Sequence, residues 1–282
     1  MKKDKYFRPA VTVDSIIFTI KNSISDNYRK LPEKKLQVLL VKRAEEPYKD
    51  SWGLPGTFVG ESERFEEAVN RSLEQKANIK DIYLEQLYSW GDPARDPRER
   101  VISTSYMGLV DGNDICLKAG KNVEDIRWFD VKLNSIKKTN KENKRGYIKT
   151  EEIDIMLESE EILLKSRVRV VKQLVNGNLI IYTQILQSDL AFDHAKILVY
   201  AVDRLKNKVE YTTIAFNLMP EKFTLTNLQQ VYEILLDKPL LKANFRRKIA
   251  DMVIETEEYE ENAGHRPSKL FQFNTNWQPH VF

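Results

Sequence analysis

The sequence predicts an α+β protein made of two domains, and three observations support this prediction. Its 282 residues exceed the length of an ordinary domain, which is roughly 100 to 200 residues. In the first third of the chain, apolar residues alternate at a period of two, and from residue 63 they recur at helical spacing. Near the C-terminus, two helical patterns are separated by a short link, which is the spacing of a helix-turn-helix.

The elements of the first domain follow from these patterns in order. Runs with strand character predict β-strands at 11–17, 36–41, 101–110 and 126–129. Spacings of three and four predict amphipathic helices at 63–77 and 191–206. The polar, lysine-rich stretch 134–145 is typical of a solvated loop. Asn176-Gly177 is a common two-residue turn, so 167–171 and 179–185 are expected to form a hairpin around it.

The second domain is predicted to begin near 207–220, where Pro220 interrupts the pattern. Helices are expected at 226–236 and 241–254, followed by a strand at 270–273. We therefore predict domains at 1–206 and 207–282. Residues 132–187 are interpreted as an insertion in the first domain.

The composition is that of a globular chain and excludes several classes of protein. The chain has 45 Lys+Arg, 42 Asp+Glu and 41% hydrophobic residues, which argues against disorder. Its longest apolar runs, such as Ile197 to Val202, are far shorter than the roughly 18 residues of a membrane span. The N-terminus lacks the apolar segment of a secretory signal, so we expect a cytoplasmic protein without a membrane partner. The single cysteine, Cys116, excludes an internal disulfide and is expected to pack within a strand.

A glycine-led loop, residues 52–63, enters the first predicted helix, and this segment resembles the box of the Nudix family. In that family, glutamates of an Arg-Glu-x-x-Glu-Glu cluster hold divalent cations on a substrate pyrophosphate, because hard cations need several converging carboxylate oxygens. Glu63 and Arg71 match this pattern as remnants of the box. The resemblance implies a Nudix fold, an α/β/α sandwich with a mixed sheet.

The helix positions that supply metal ligands in the Nudix family are altered here. They carry Ser72, Gln75 and Lys76, and the lysine would repel a cation. We therefore expect no metal site, no required cofactor and no catalytic residue, and an enzyme is the less favoured reading. Glu74, which lies about 100° around the helix from Gln75, is the carboxylate that could rescue a weak metal site.

The segment 88–101 carries three arginines, Arg95, Arg98 and Arg100, close to Trp90. Guanidinium groups match the geometry of phosphate oxygens, and tryptophan can stack on a nucleobase. The segment resembles the corresponding loop of Nudix proteins that handle ADP-ribose, so these four residues are ligand-binding candidates. Arg43, at the end of the second predicted strand, is a further phosphate candidate. The alternative is a rigid, proline-bounded turn with surface ion pairs.

The C-terminal module resembles a winged helix-turn-helix. Thr226 is available to cap its first helix. On the second helix, Asn244, Arg246, Arg247 and Lys248 surround an apolar stripe, and asparagine and arginine suit contact with base edges. Arg266 and Lys269 follow at the base of the expected wing, and these six residues are the candidate DNA contacts. A solvated helix face is the alternative, because the glutamates of 255–261 would repel phosphates if they faced a duplex.

The order of these modules resembles that of the Nudix-related transcriptional regulators of the NrtR type. Further matching segments are 190–195, 211–212, 215–216, 223–225, 244–248 and 266–270. The resemblance implies a homodimeric repressor of NAD-related or sugar metabolism genes, with a small winged-helix domain that binds double-stranded operator DNA. It also implies that the Nudix-like domain senses ADP-ribose or a related phosphorylated nucleotide.

Two other functions remain open at this point. The first is a Nudix hydrolase that cleaves ADP-ribose or a similar nucleoside diphosphate derivative with Mg²⁺. The second is an interaction module that does not bind DNA. Magnesium-dependent turnover would favour the hydrolase, and specific operator binding would favour the regulator.

Overall fold

The structure, a computed structural model, describes residues 7–22, 34–112, 115–120, 122–143, 145–260 and 267–278. Its strands are β1 (Ala10–Asn22), β2 (Lys34–Arg43), β3 (Trp52–Gly53), β4 (Gly56–Phe58), β5 (Tyr83–Trp90), β6 (Val101–Leu109), β7 (Val123–Asn143), β8 (Gly146–Ser159), β9 (Ile162–Val175), β10 (Asn178–Ser188), β11 (Lys222–Phe223), β12 (Val253–Tyr259) and β13 (Lys269–Phe273). Its α-helices are α1 (Phe65–Ala77), α2 (His194–Val209), α3 (Leu225–Leu236) and α4 (Lys242–Ile249). Two 3₁₀ helices lie at Ile214–Leu218 and Ala250–Met252.

A ten-stranded sheet forms the first part of the fold. Its strand order is β10-β9-β8-β7-β2-β1-β6-β5, and the short strands β3 and β4 pair with β2 and β1. The central strand β1 is buried, and its apolar residues, such as Ile16 and Phe18, are fully inaccessible to solvent. Sheet and helices together confirm the predicted α+β class.

Helix α1 forms where the apolar spacing predicted it. Glu67 accepts a hydrogen bond from the backbone of the N-cap Arg64, with 2.9 Å between the two atoms. The apolar face, which includes Val69 and Leu73, is buried. The helix ends at Asn78, whose left-handed conformation (φ 56°) closes the last turn. The glycine-led loop 52–63, called the box loop below, leads directly into this helix.

The lysine-rich stretch 134–145 is not the predicted loop. Most of it belongs to β7, which runs on from the predicted short strand at 126–129, and β7 pairs antiparallel with β8. The side chains of 134–142 are exposed as expected, but cross-strand partners hold this stretch as a strand. Lys138, for example, forms an ion pair with Glu151 at 3.0 Å. Polarity therefore indicated exposure correctly, and the prediction of a loop was wrong.

The predicted hairpin is present, with β9 and β10 joined at Asn176 and Gly177. Both turn residues have positive φ, 49° and 84°, which is the geometry that makes an Asn-Gly pair favourable. The expectation for Cys116 was wrong. It is exposed and lies outside the strands, because the chain leaves the sheet after Leu109.

The C-terminal part contains α3, α4 and a three-stranded sheet of order β11-β13-β12, which confirms the winged-helix prediction. Phe245 packs on Tyr232 with ring centroids 5.3 Å apart, and this contact joins the two helices. Two details differ from the predictions. The second helix ends at Ile249, because residues from Val253 onward pair as β12, and the cap of α3 is Thr224 rather than Thr226.

The chain divides into two compact units. One comprises Met1–Ile17, Gln37–Gly108 and Cys116–Ala201, and the other comprises Phe18–Leu36, Leu109–Ile115 and Val202–Phe282. The domain boundary between 206 and 207 and the insertion at 132–187 stay predictions. In the described ranges, no helix is long and apolar enough to cross a membrane.

Candidate functional site

A cavity of about 310 Å³ lies in the first unit, beside the box loop and α1. Both signs of charge and two aromatic rings line it. Its charged lining residues are Asp14, Arg43, Glu45, Glu46, Arg71, Lys76, Arg95, Asp96 and Arg98. Phe58 and Phe192 supply the aromatic surface. Such a lining suits a ligand that has both an anionic group and a flat apolar group.

A buried ion network lies beside this cavity. The Arg95 side chain is 4% exposed, and its Nη2 lies 3.0 Å from Asp14 Oδ2 and 2.9 Å from Asp193 Oδ1. Asp14 also accepts a hydrogen bond from Ser103 Oγ at 2.7 Å. Burial raises the pKa of Asp14, but its contact with His194 and the charge of Arg95 outweigh burial, so the pKa lies well below its ordinary value. The charge of Arg95 is thus already compensated by two carboxylates, and these ion pairs hold the segment 88–101 in place.

The box loop packs closely on this network. The Leu54 backbone N–H donates to His194 Nδ1 at 2.9 Å, while His194 Nε2 faces Asp14 Oδ1 at 3.7 Å. A Cβ on Gly56 would lie 2.4 Å from Asp14 Oδ1, so only glycine allows the loop to approach the carboxylate this closely. The loop is therefore held to the sheet by polar contacts as well as by its strand pairing.

The remnant box residues hold the loop to helix α1. Arg71 donates from Nε to Glu63 Oε1 at 2.6 Å and from Nη2 to Glu63 Oε2 at 2.8 Å. Glu63 also accepts from the Gly60 backbone N–H at 2.9 Å. The hydrogen bonds from Arg71 and Gly60 lower the pKa of Glu63 to about 2. Both carboxylate oxygens of Glu63 therefore accept hydrogen bonds that hold the loop to the helix.

The remaining box positions do not fit a divalent cation. Ser72 is buried, and its hydroxyl has no hydrogen-bond partner among the described residues. Gln75 and Lys76 line the cavity, and the Lys76 ammonium donates to the Gly56 carbonyl. Glu74 forms an ion pair with Lys80 at 2.6 Å. The part of the chain that the structure describes holds no group of three His, Cys, Asp or Glu residues placed to bind a metal ion. An ammonium has no lone pair to offer a cation and repels it, and a neutral amide oxygen lacks the charge with which a carboxylate holds a hard cation.

The structure brings three of the five predicted ligand residues to the cavity, namely Arg43, Arg95 and Arg98. Arg98 pairs with Asp96 at 2.8 Å and lies over the Phe58 ring, 5.7 Å from its centroid. Their contact with a ligand stays a prediction.

The other two predicted ligand residues, Trp90 and Arg100, do not line the cavity. Trp90 is buried, donates to Ser105 Oγ at 2.9 Å and packs on Tyr88 and Tyr200. Arg100 donates to the Gly91 carbonyl at 2.7 Å. Both side chains stabilise the segment 88–101 instead. Strand β5 turns the Trp90 ring inward, and Arg100 is held by its bond to the backbone.

Sequence reasoning missed the two carboxylates that hold Arg95. Asp14 lies within the apolar run of β1, and a charged residue in a buried strand is itself a signal of a paired site. Asp193 precedes α2, and only the fold brings it beside β1. His194 is buried, and its Nδ1 accepts a hydrogen bond from the box loop.

The C-terminal unit presents the candidate DNA contacts on α4. Asn244, Arg246, Arg247 and Lys248 are exposed, whereas Phe245 and Ile249 are buried, so the polar face points outward as predicted. Lys248 also donates to the Glu210 carbonyl at 2.9 Å.

Ion pairs occupy two glutamates of the wing strand β12. Lys269 Nζ lies 2.9 Å from Glu255, and Lys222 pairs with Glu258. These contacts offset part of the repulsion that the glutamates would exert on phosphates. Arg266 lies outside the described residues, and the contact of all six candidates with DNA stays a prediction.

Comparisons with known proteins agree with this two-part arrangement. Residues 31–150 match the NUDIX domain family, and residues 215–273 match the family described as the NrtR DNA-binding winged helix domain. The chain is 31% identical over 275 residues to the "ADPR responsive transcriptional repressor NtrR" of Acinetobacter baylyi, covering 96% of this chain and 85% of the relative.

The chain is also similar to an enzyme over about half of its length and to a solved structure over nearly all of it. The chain is 35% identical over 133 residues to an ADP-ribose pyrophosphatase of Methanocaldococcus jannaschii, covering 47% of this chain and 68% of the relative. Its fold is similar to that of Shewanella oneidensis NrtR complexed with a 27mer DNA, with a TM-score of 0.61 and 27% identity, covering 94% of this chain and 93% of that chain.

Proposed function

The chain belongs to the family of Nudix-related transcriptional regulators of the NrtR type, and from this premise we propose that it is a transcriptional repressor that responds to ADP-ribose. One observation carries the proposal. A single chain joins a Nudix cavity lined by arginines and a lysine, with no metal-binding group of carboxylates among the described residues, to a winged helix whose exposed helix α4 carries Asn244, Arg246 and Arg247. Binding without cleavage suits a sensor better than an enzyme.

ADP-ribose has the chemistry that the cavity lining matches. Its diphosphate is anionic and suits the guanidinium of Arg43, which lies at the cavity without an ion-pair partner among the described residues. Its adenine is flat and suits the aromatic surface of Phe58, which is 44% exposed. The name of the Acinetobacter relative points to the same effector class.

The repressor is proposed to act as a homodimer in the cytoplasm, on genes of NAD-related or sugar metabolism. Two copies of α4 would then occupy half-sites about 34 to 36 Å apart on double-stranded DNA, which is one helical turn. ADP-ribose would release the operator by favouring a state of the protein with lower DNA affinity.

Fluorescence anisotropy with the upstream intergenic DNA of the protein's own gene tests this function. We expect specific binding at a stated salt concentration, weakened by ADP-ribose and absent with a scrambled duplex. Arg246→Ala and Arg247→Ala should each cost about 1 to 3 kcal/mol of operator binding. Lys118→Ala, an exposed lysine outside the winged helix, is the control. Unchanged operator affinity in both arginine variants would contradict the assignment of α4.

The competing function is hydrolysis of ADP-ribose, and the similarity to the Methanocaldococcus pyrophosphatase favours it. It would require Glu63 and a further carboxylate to hold Mg²⁺, yet Glu63 is bound to Arg71 and Glu74 to Lys80. Magnesium-dependent turnover that Glu63→Gln abolishes would support the hydrolase. Background turnover that is independent of metal would count against it.

A further inference from the structure

The altered box leaves two cations at the cavity without a carboxylate partner. Arg71, Arg95 and Arg98 each pair with carboxylates. By contrast, no ion pair joins Arg43 or Lys76 to a carboxylate among the residues that the structure describes.

Arg43 and Lys76 make backbone contacts in place of ion pairs. Arg43 Nε donates to the Pro47 carbonyl at 2.8 Å, and Lys76 donates to the Gly56 carbonyl. Because no direct carboxylate pair offsets these two charges among the described residues, both can attract an anion at the cavity.

The surroundings of these two cations favour an anionic ligand. Burial, together with the charge of Arg43, lowers the pKa of Lys76. Burial, together with the charge of Arg98, lowers the pKa of Arg43, and the carboxylates of Asp96, Glu45 and Asp14 offset only part of this effect. A bound anion would relieve both effects, because it returns a counter-charge to groups that have lost water. Unlike Arg95, neither of these two cations has its charge compensated by a direct ion pair among the described residues.

We propose that the Lys76 ammonium replaces the divalent cation of a Nudix site and binds the diphosphate of the effector directly, together with Arg43. This inference rests on the proposed function, and it adds a ligand-binding residue and independence from metal. Lys76 occupies a box position where the family has a carboxylate, so the exchange reverses the local charge. In a metal-dependent site the carboxylate attracts a cation that attracts the phosphate. Here the protein supplies the cation itself.

Calorimetric titration of the full chain with ADP-ribose tests this inference without any variant. We expect the same affinity in EDTA and in Mg²⁺. A requirement for Mg²⁺ would overturn the inference. If the operator were still released by ADP-ribose in Mg²⁺, the proposed function would survive and only the inference would fail. Absence of ADP-ribose binding in both buffers would overturn both.

A lysine variant tests the role of the ammonium. Lys76→Met keeps much of the side-chain length and removes the charge, so ADP-ribose affinity should fall about 10- to 100-fold, the range for a charged hydrogen bond. Lys118→Met removes an exposed lysine that does not line the cavity and should leave affinity unchanged. Lys76→Met affinity equal to that of the wild type would overturn the inference. Melting temperatures of both variants check that they fold.

The pH dependence of binding provides a second readout. The charged groups that face Lys76 are Arg43, Arg71, Asp14 and Glu45. We expect ADP-ribose affinity to fall as pH rises through the lowered pKa of Lys76. Lys76→Arg keeps its charge, so its affinity should stay constant over the same rise in pH. The same pH profile in both proteins would overturn the inference.

Discussion

Arg95 shows how one buried cation can organise a site through ion pairs with two carboxylates. Replacing it by methionine would leave Asp14 and Asp193 buried without their cation. We expect Arg95→Met to lower the free energy of unfolding by about 3 to 5 kcal/mol, measured by urea denaturation. Arg167→Met breaks a more exposed pair with Asp154 and should cost less than about 1 kcal/mol. Equal losses in the two variants would contradict the structural role of Arg95.

Glu63 gives the protein a pH dependence with a definite sign. Its pKa falls from an ordinary value of 4.5 to about 2 in the folded protein, so its stabilising effect is complete above the ordinary value. That effect is lost as pH falls toward 2. The melting temperature of Glu63→Gln should therefore lie below that of the wild type at neutral pH and converge with it in acid. Glu61→Gln, an exposed neighbour, is the control, and a gap that persists at low pH would contradict the prediction.

At the scale of elements, a side-chain cap stabilises the first helix of the winged domain. Thr224 is buried, and its hydroxyl accepts a hydrogen bond from the Asn227 backbone N–H at 3.1 Å. Thr224→Ala should lower the free energy of unfolding by about 1 kcal/mol. Thr226→Ala removes the same group from inside the helix and should be neutral or slightly stabilising, because alanine is the better helix former. Chemical denaturation of the two variants distinguishes them, and a larger loss at Thr226 would restore the cap predicted from sequence.

Local patterns predicted the elements whose contacts are local. Helix α1 and the hairpin around Asn176-Gly177 depend on periodicity and turn chemistry that lie within the elements themselves. The continuation of β7 through the lysine-rich stretch was missed because its lysines are stabilised by partners on β8, and the strand character of β12 depends on pairing with β13. The sequence identified Arg43 and Arg98 by residue type. It could not reveal that Arg95 is already paired, because that fact depends on Asp193, 98 residues away.

For the whole molecule, the proposed function requires thermodynamic coupling between effector and operator. If ADP-ribose lowers operator affinity by some factor, the operator must lower ADP-ribose affinity by the same factor, since the two binding reactions form a closed cycle. A coupling of about 1 to 3 kcal/mol would change each affinity by about 5- to 150-fold. Calorimetry with free protein and with operator-saturated protein gives one ratio, and anisotropy with and without ADP-ribose gives the other. Equal ratios would show that one chain carries the signal from cavity to DNA. An ADP-ribose affinity that the operator does not change would contradict the repressor mechanism, even if both ligands bind tightly.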